Sequence, residues 1–113
     1  MPLDPQIEAV LEEMRAAGAK PFEELSVPEA RIAALGFKEL QGEPEAVASV
    51  SHHFVCGPTA DVPVRVYTPE GPGPFPGIVY FHGSGWVVLN IEVCDTTMWA
   101  LANITGSVVV AVN

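Results

Sequence analysis

The residues with the clearest capacity for chemistry are His82-Gly83-Ser84-Gly85-Trp86. Small residues in such a run let the backbone approach a ligand closely and turn successive N–H groups outward, where they can hold an oxyanion or a phosphate. A dinucleotide fingerprint would need glycine three places after Gly85, and Val88 stands there, so that reading is set aside. The five serines are Ser26, Ser49, Ser51, Ser84 and Ser107, and none lies in Gly-x-Ser-x-Gly. Ser84 has glycine on both sides, the wrong spacing for a nucleophile elbow. His52 and His53 are consecutive in a strand-like run and point to opposite faces, as hairpin histidines at a surface would. Cys56 and Cys94 fit no metal or redox spacing and read as two reduced thiols. No metal centre or cofactor is therefore expected, and no residue set unites nucleophile, base and orienter.

The elements that must position this loop can be traced on both sides of it. Gly77-Ile78-Val79-Tyr80-Phe81-His82 reads as a short apolar strand, and Val108–Val112 as a second, apolar throughout and fit for burial on both faces. Between them, Asp95 is placed to cap a helix over about 96–105, with Met98, Trp99 and Ala102 on one face and Gly106 at its end. Residues 77–112 thus form one strand–helix–strand crossover with the loop at the carboxyl end of its first strand, where open α/β sheets gather their ligands. Upstream, 47–56 and 62–68 alternate like the arms of an antiparallel hairpin, with Pro63 placing the second arm near an edge. Asp4-Pro5 opens a helix whose Ile7, Val10, Leu11 and Met14 form one stripe, and Gly18 stops it. Ser26-Val27-Pro28-Glu29 is a capping box for a second helix, with Ala30, Ala33, Ala34, Phe37 and Leu40 on its apolar side. Gln41–Ala46 reads as a linker.

Charge separates the same two regions. The chain has 113 residues, a net charge of −9 and an apolar fraction of 49%, enough for one compact unit and too apolar for wholesale disorder. Fourteen of the nineteen charges lie in residues 1–45, and only Glu92 and Asp95 fall in 71–113. A free-standing domain wears charge all over its surface, so the charge-poor stretch reads as the interior of something larger. Arg15, Lys20, Arg31, Lys38 and Arg65 are scattered, which argues against nucleic acid as a partner. The start, Met1–Pro5, has neither the basic nor the apolar region of a secretory leader. The two long uncharged runs are broken by prolines, glycines, threonines and asparagines, so no membrane span is expected and a cytoplasmic location is.

Tyr80-Phe81-His82-Gly83-Ser84-Gly85-Trp86 resembles the His-Gly-Gly-Gly oxyanion motif of the hormone-sensitive-lipase-like (bacterial family IV) carboxylesterases, which have the α/β-hydrolase fold. The likeness extends to Met1–Pro5, to Val62–Pro69 as the second strand, and to Leu101–Asn103 with Gly106–Val112 as crossover helix and next strand. The whole chain resembles the N-terminal third of such a protein. The fold this implies is the N-terminal part of an α/β hydrolase: two cap helices and a linker over 1–45, then a truncated core over 46–113.

The resemblance further implies hydrolysis of short acyl esters by a serine nucleophile, with backbone N–H groups stabilising the tetrahedral oxyanion. Carried over residue by residue, the oxyanion hole falls on Gly83, Ser84 and Gly85. Ser84 and Gly85 lend N–H groups, Gly83 permits the turn, His82 orients the loop and Trp86 walls the substrate pocket. Ser84 stands where the family has glycine, and its hydroxyl would narrow the acyl site. The family's serine, acid and histidine lie beyond the residues matched here, so the chain alone is expected to be inactive. Its implied partners are a small ester and the C-terminal portion of the same fold, together with self-association through an unpaired edge on Val108–Val112. A non-catalytic binding or complementing module and a formamidase-like amide hydrolase are the alternatives.

Overall fold

The structure, a computed structural model, describes residues 2–113; Met1, the first residue of the expected 1–45 segment, lies outside them. Helix α1 runs Pro5–Ala16, with the Asp4 carboxylate accepting the Gln6 N–H at 2.8 Å and proline in the first turn. Its apolar stripe forms but is not buried: Ile7 and Val10 are exposed, Leu11 and Met14 half-buried. Helix α2 runs Val27–Leu35, and Ser26 donates both its N–H (2.9 Å) and its hydroxyl (2.5 Å) to the Glu29 carboxylate. Those hydrogen bonds, the side-chain one first, lower the Glu29 pKa. Ala30 and Ala34 are buried, whereas Leu40, expected on the apolar side, is exposed. The chain tightens at Gly36 into a 3₁₀ turn, Gly36–Gln41, which rotates Leu40 outward and leaves Phe37 6.0 Å from Phe22, ring to ring.

Strands β1 (Ser49–Cys56) and β2 (Asp61–Thr68) form the expected hairpin, in register from Ser49 opposite Thr68 to Cys56 opposite Asp61. Gly57 is obligatory at its turn, because a Cβ there would sit 2.4 Å from the Ala60 carbonyl oxygen. Strand β3 (Gly77–Phe81), helix α3 (Ile91–Thr105) and strand β4 (Val108–Val112) make the crossover, with β3 and β4 parallel from Gly77 opposite Val108 to Phe81 opposite Val112.

The sheet order is β1-β2-β4-β3, and this corrects two expectations. β4 is no edge: it pairs with β2 on one side and β3 on the other. β2 is likewise interior. Pro63 is accommodated because β2 and β4 pair only over Val64–Tyr67, while the Pro63 carbonyl accepts the Asn113 N–H at 3.1 Å just beyond. The free edges are β1 and β3. Helix α3 also begins earlier than expected, at Ile91. The Asn90 side chain accepts the Val93 N–H at 3.1 Å and caps it, which frees Asp95 for the sheet.

The core lies between α3 and one sheet face: Tyr67, Ile91, Met98, Ala102, Val109 and Ala111, joined by Val50, Ile78 and Tyr80. β4 is fully buried only on this face. Val108, Val110 and Val112 point to the opposite one and are half-buried.

Candidate active-site loop

β3 ends at Phe81, and residues 82–90 return the chain to the start of α3. Ser84 organises the turn. Its hydroxyl accepts the Trp86 N–H at 3.2 Å, and its carbonyl accepts the N–H groups of Val87 and Val88, both at 3.1 Å. The backbone is left-handed at Gly85 (φ 54°), Trp86 (φ 60°) and Leu89 (φ 67°). The glycine that the turn demands is thus Gly85. Gly83 lies outside the left-handed region and a Cβ there would meet open space, so the expectation that Gly83 permits the turn is corrected. Ser84 also avoids positive φ, so serine in place of glycine costs no backbone strain. Among the described residues the N–H groups of Ser84 and Gly85 have no protein acceptor.

A cleft of about 430 Å³ lies between this loop and α2, with Arg31, Ile32 and Leu35 facing His82, Ser84 and residues 86–90. His82, Ser84, Gly85 and Trp86 border a second hollow of about 270 Å³. The Trp86 ring is 98% exposed, so it rims both and buries against nothing. The His82 ring buries Nδ1 without a hydrogen-bond partner among the described residues, so no hydrogen bond from that nitrogen orients the loop.

Two contributors escaped the sequence reading. The Arg31 Nε–H donates to the Val87 carbonyl at 2.8 Å, tying α2 to the loop. Asn113 accepts the Ile91 N–H on its side-chain oxygen at 3.3 Å and so joins the end of β4 to the start of α3. Neither has a local signature, because the partners are 56 and 22 residues apart.

The remaining candidates lie elsewhere. Ser51 Oγ and His53 Nε2 are 2.9 Å apart, as residues i and i+2 on one strand face allow, but His53 is exposed and no carboxylate orients it among the described residues. His52 points to the other face and is exposed. Cys56 is exposed and Cys94 half-buried, both unpaired, and burial raises the Cys94 pKa. No group of three or more His, Cys, Asp and Glu among the described residues is placed to hold a metal ion.

A polar cluster under α3 fixes the helix that follows the loop. Arg65 on β2 donates to Asp95 at 2.8 Å and to Glu92, and the Tyr67 hydroxyl donates to Asp95 at 2.6 Å. Burial works against the Arg65 charge, but the hydrogen bonds to Glu92 and Asp95 outweigh it and raise its pKa. Burial, then the bond to Asp95, raises the Tyr67 pKa. Gln41, expected in a linker, instead donates to the Val93 carbonyl and accepts from Thr97 at 3.4 Å, anchoring the N-terminal segment on α3.

Comparison with known proteins agrees with this geometry. Residues 78–113 match a family described as having the alpha/beta hydrolase fold. The chain is 33% identical to ethyl acetate hydrolase of Pseudomonas putida over 99% of its own length and 38% of that protein's. It is 27% identical to the carboxylic ester hydrolase LipN of Mycobacterium tuberculosis over 82% of its length and 25% of that protein's. Among solved structures, an ester hydrolase from the metagenome of Lake Arreo, complexed with a bipyridine phosphonate derivative, superposes with a TM-score of 0.87. The two are 32% identical over 99% of this chain and 38% of that one. The chain thus spans 25% and 38% of the lengths of these two curated relatives.

Proposed function

We propose that this chain, which resembles the N-terminal third of the hormone-sensitive-lipase-like carboxylesterases and has that part of the α/β-hydrolase fold, supplies the oxyanion loop of a carboxylic-ester hydrolase. The observation that carries this reading is the pair of unengaged N–H groups at Ser84 and Gly85, at the carboxyl end of β3 beside the cleft. An ester carbonyl seated there gains negative charge on oxygen when a nucleophile attacks its carbon. Two fixed N–H donors stabilise that charge more than the neutral ground state, and each donor of this kind is worth about 2.7–4 kcal/mol in the transition state. Ser84 Oγ is already held by Trp86, so the serine acts here through its backbone.

The 113 residues contain no Gly-x-Ser-x-Gly, so nucleophile, base and acid come from polypeptide outside them. In this reading residues 1–45 are the cap segment over the site, and Gly83 belongs to the oxyanion-hole run with Ser84 and Gly85. Trp86 walls the pocket once the fold around it is complete, and short acyl esters are the substrates. No helix among the described residues is long and apolar enough to cross a membrane, and the two unpaired thiols suit a reducing compartment; we place the protein in the cytoplasm.

The test is hydrolysis of p-nitrophenyl acetate and longer p-nitrophenyl esters. The 113-residue chain is expected to be inactive, and a polypeptide joining it to a nucleophile elbow and the rest of the sheet active on the short esters. Serine-dependent turnover by the 113 residues alone, or an inactive completed protein whose nucleophile is intact, overturns the reading.

A further inference from the structure

We infer that Arg31 is a positioning residue: its hydrogen bond to the Val87 carbonyl holds the strained loop in the conformation that leaves the Ser84 and Gly85 N–H groups without a protein acceptor. Val87 lies between Trp86 (φ 60°) and Leu89 (φ 67°), two large non-glycine residues in left-handed backbone. Such residues persist only where the surroundings over-determine them. Inside the loop the restraints are the bonds that Ser84 accepts from Trp86, Val87 and Val88. These close the turn on itself without fixing its direction relative to the sheet. Arg31 supplies the external restraint, because its charged donor reaches Val87 from a separate element at 2.8 Å. That element is itself anchored. Ala30 and Ala34 of α2 are buried, and the following turn is bonded to α3 through Gln41. The contact therefore links the loop to the N-terminal segment, and displacing α2 removes the restraint on the donors.

The structural part stands on the contact alone, whereas its kinetic consequence rests on the ester-hydrolase reading. Arg31 is exposed, so Arg31→Ala and Arg31→Lys are expected to fold with melting temperatures within about 2 °C of the parent. In Arg31→Ala, amide exchange at Val87 and Val88 should rise about tenfold while β2 and β4 are unchanged. Methylguanidinium at tens of millimolar should restore protection, and Arg31→Lys, lacking the planar donor, should restore it only partly. Unchanged exchange at Val87 and Val88, or a rise spread equally over the sheet, overturns the assignment. In the complete protein, kcat for p-nitrophenyl acetate should fall about tenfold to a hundredfold in Arg31→Ala with KM unchanged, and recover with methylguanidinium. A rise in KM at constant kcat also overturns it. A complete protein with no esterase activity refutes the functional reading, and the exchange measurement still decides the role of Arg31.

Discussion

Gly83 and Gly85 sit two residues apart in one loop, and a Cβ on either would meet open space. Alanine at both positions therefore isolates one variable, backbone conformation. Each replacement removes a glycine's extra freedom from the unfolded chain, which by itself stabilises by about 0.4–1 kcal/mol where the native conformation suits alanine. At Gly85 the left-handed φ of 54° adds an opposing cost of about 1–2 kcal/mol. Because the unfolded-state gain is common to both, it cancels in the difference. Gly85→Ala is expected to be less stable than Gly83→Ala by about 1–2 kcal/mol, with Gly83→Ala neutral or slightly stabilised. Urea denaturation followed by far-UV circular dichroism reads this as a shift in midpoint at constant slope. Equal loss in the two variants, or a greater loss at Gly83, would refute the assignment of the turn to Gly85. In the completed enzyme, Gly85→Ala should also cost about 10²–10³-fold in kcat for p-nitrophenyl acetate, because the strained residue no longer aims its N–H at the carbonyl oxygen.

Three further outcomes are expected. Asp95→Ala leaves the buried Tyr67 hydroxyl without an acceptor and the 12%-exposed Arg65 side chain with Glu92 alone. Urea unfolding should show a loss of about 3–5 kcal/mol, and Asp95→Asn, which keeps an acceptor for Tyr67, a smaller one. The Tyr67 pKa is raised in the fold above its ordinary value of about 10. Above about pH 10 the unfolded chain ionises while the folded one holds its proton, so stability should fall as pH rises there and the slope should shrink in Tyr67→Phe. Along the β3 edge Val79 and Phe81 are 61% and 72% exposed, so size-exclusion chromatography of the chain should show concentration-dependent association that Val79→Lys suppresses.

Much of the fold was legible because its signals are local. Ser26 and Glu29 are three apart, and the cap forms between them. Val62, Val64 and Val66 alternate, and the strand forms there. The misreadings concern residues whose partners are distant. Asp95 reads as a cap, because aspartate before a helical stripe is the ordinary cap signal. In the structure it belongs to Arg65 and Tyr67, 30 and 28 residues away, and Asn90 takes its place. Val108–Val112 reads as an unpaired edge because the sequence shows a single crossover and no strand following it. The crossover instead sets it between β2 and β3. In the loop itself, residue types located the candidate donors, but which residue takes the left-handed turn depends on Ser84 closing it.

What the sequence determined by itself is the inventory. It set which segments are helical or extended and where small residues open a loop after an apolar strand. Together with the family resemblance, it also identified the chemistry that loop suits. These depend on neighbours within four residues, whose geometry the covalent chain nearly dictates. Tertiary structure decided the strand order, the free edge at β3, the Arg65–Asp95–Tyr67 cluster and the reach of Arg31 to Val87. Each joins residues far apart in sequence, and such contacts form only when packing of the shared core brings their elements within hydrogen-bonding distance.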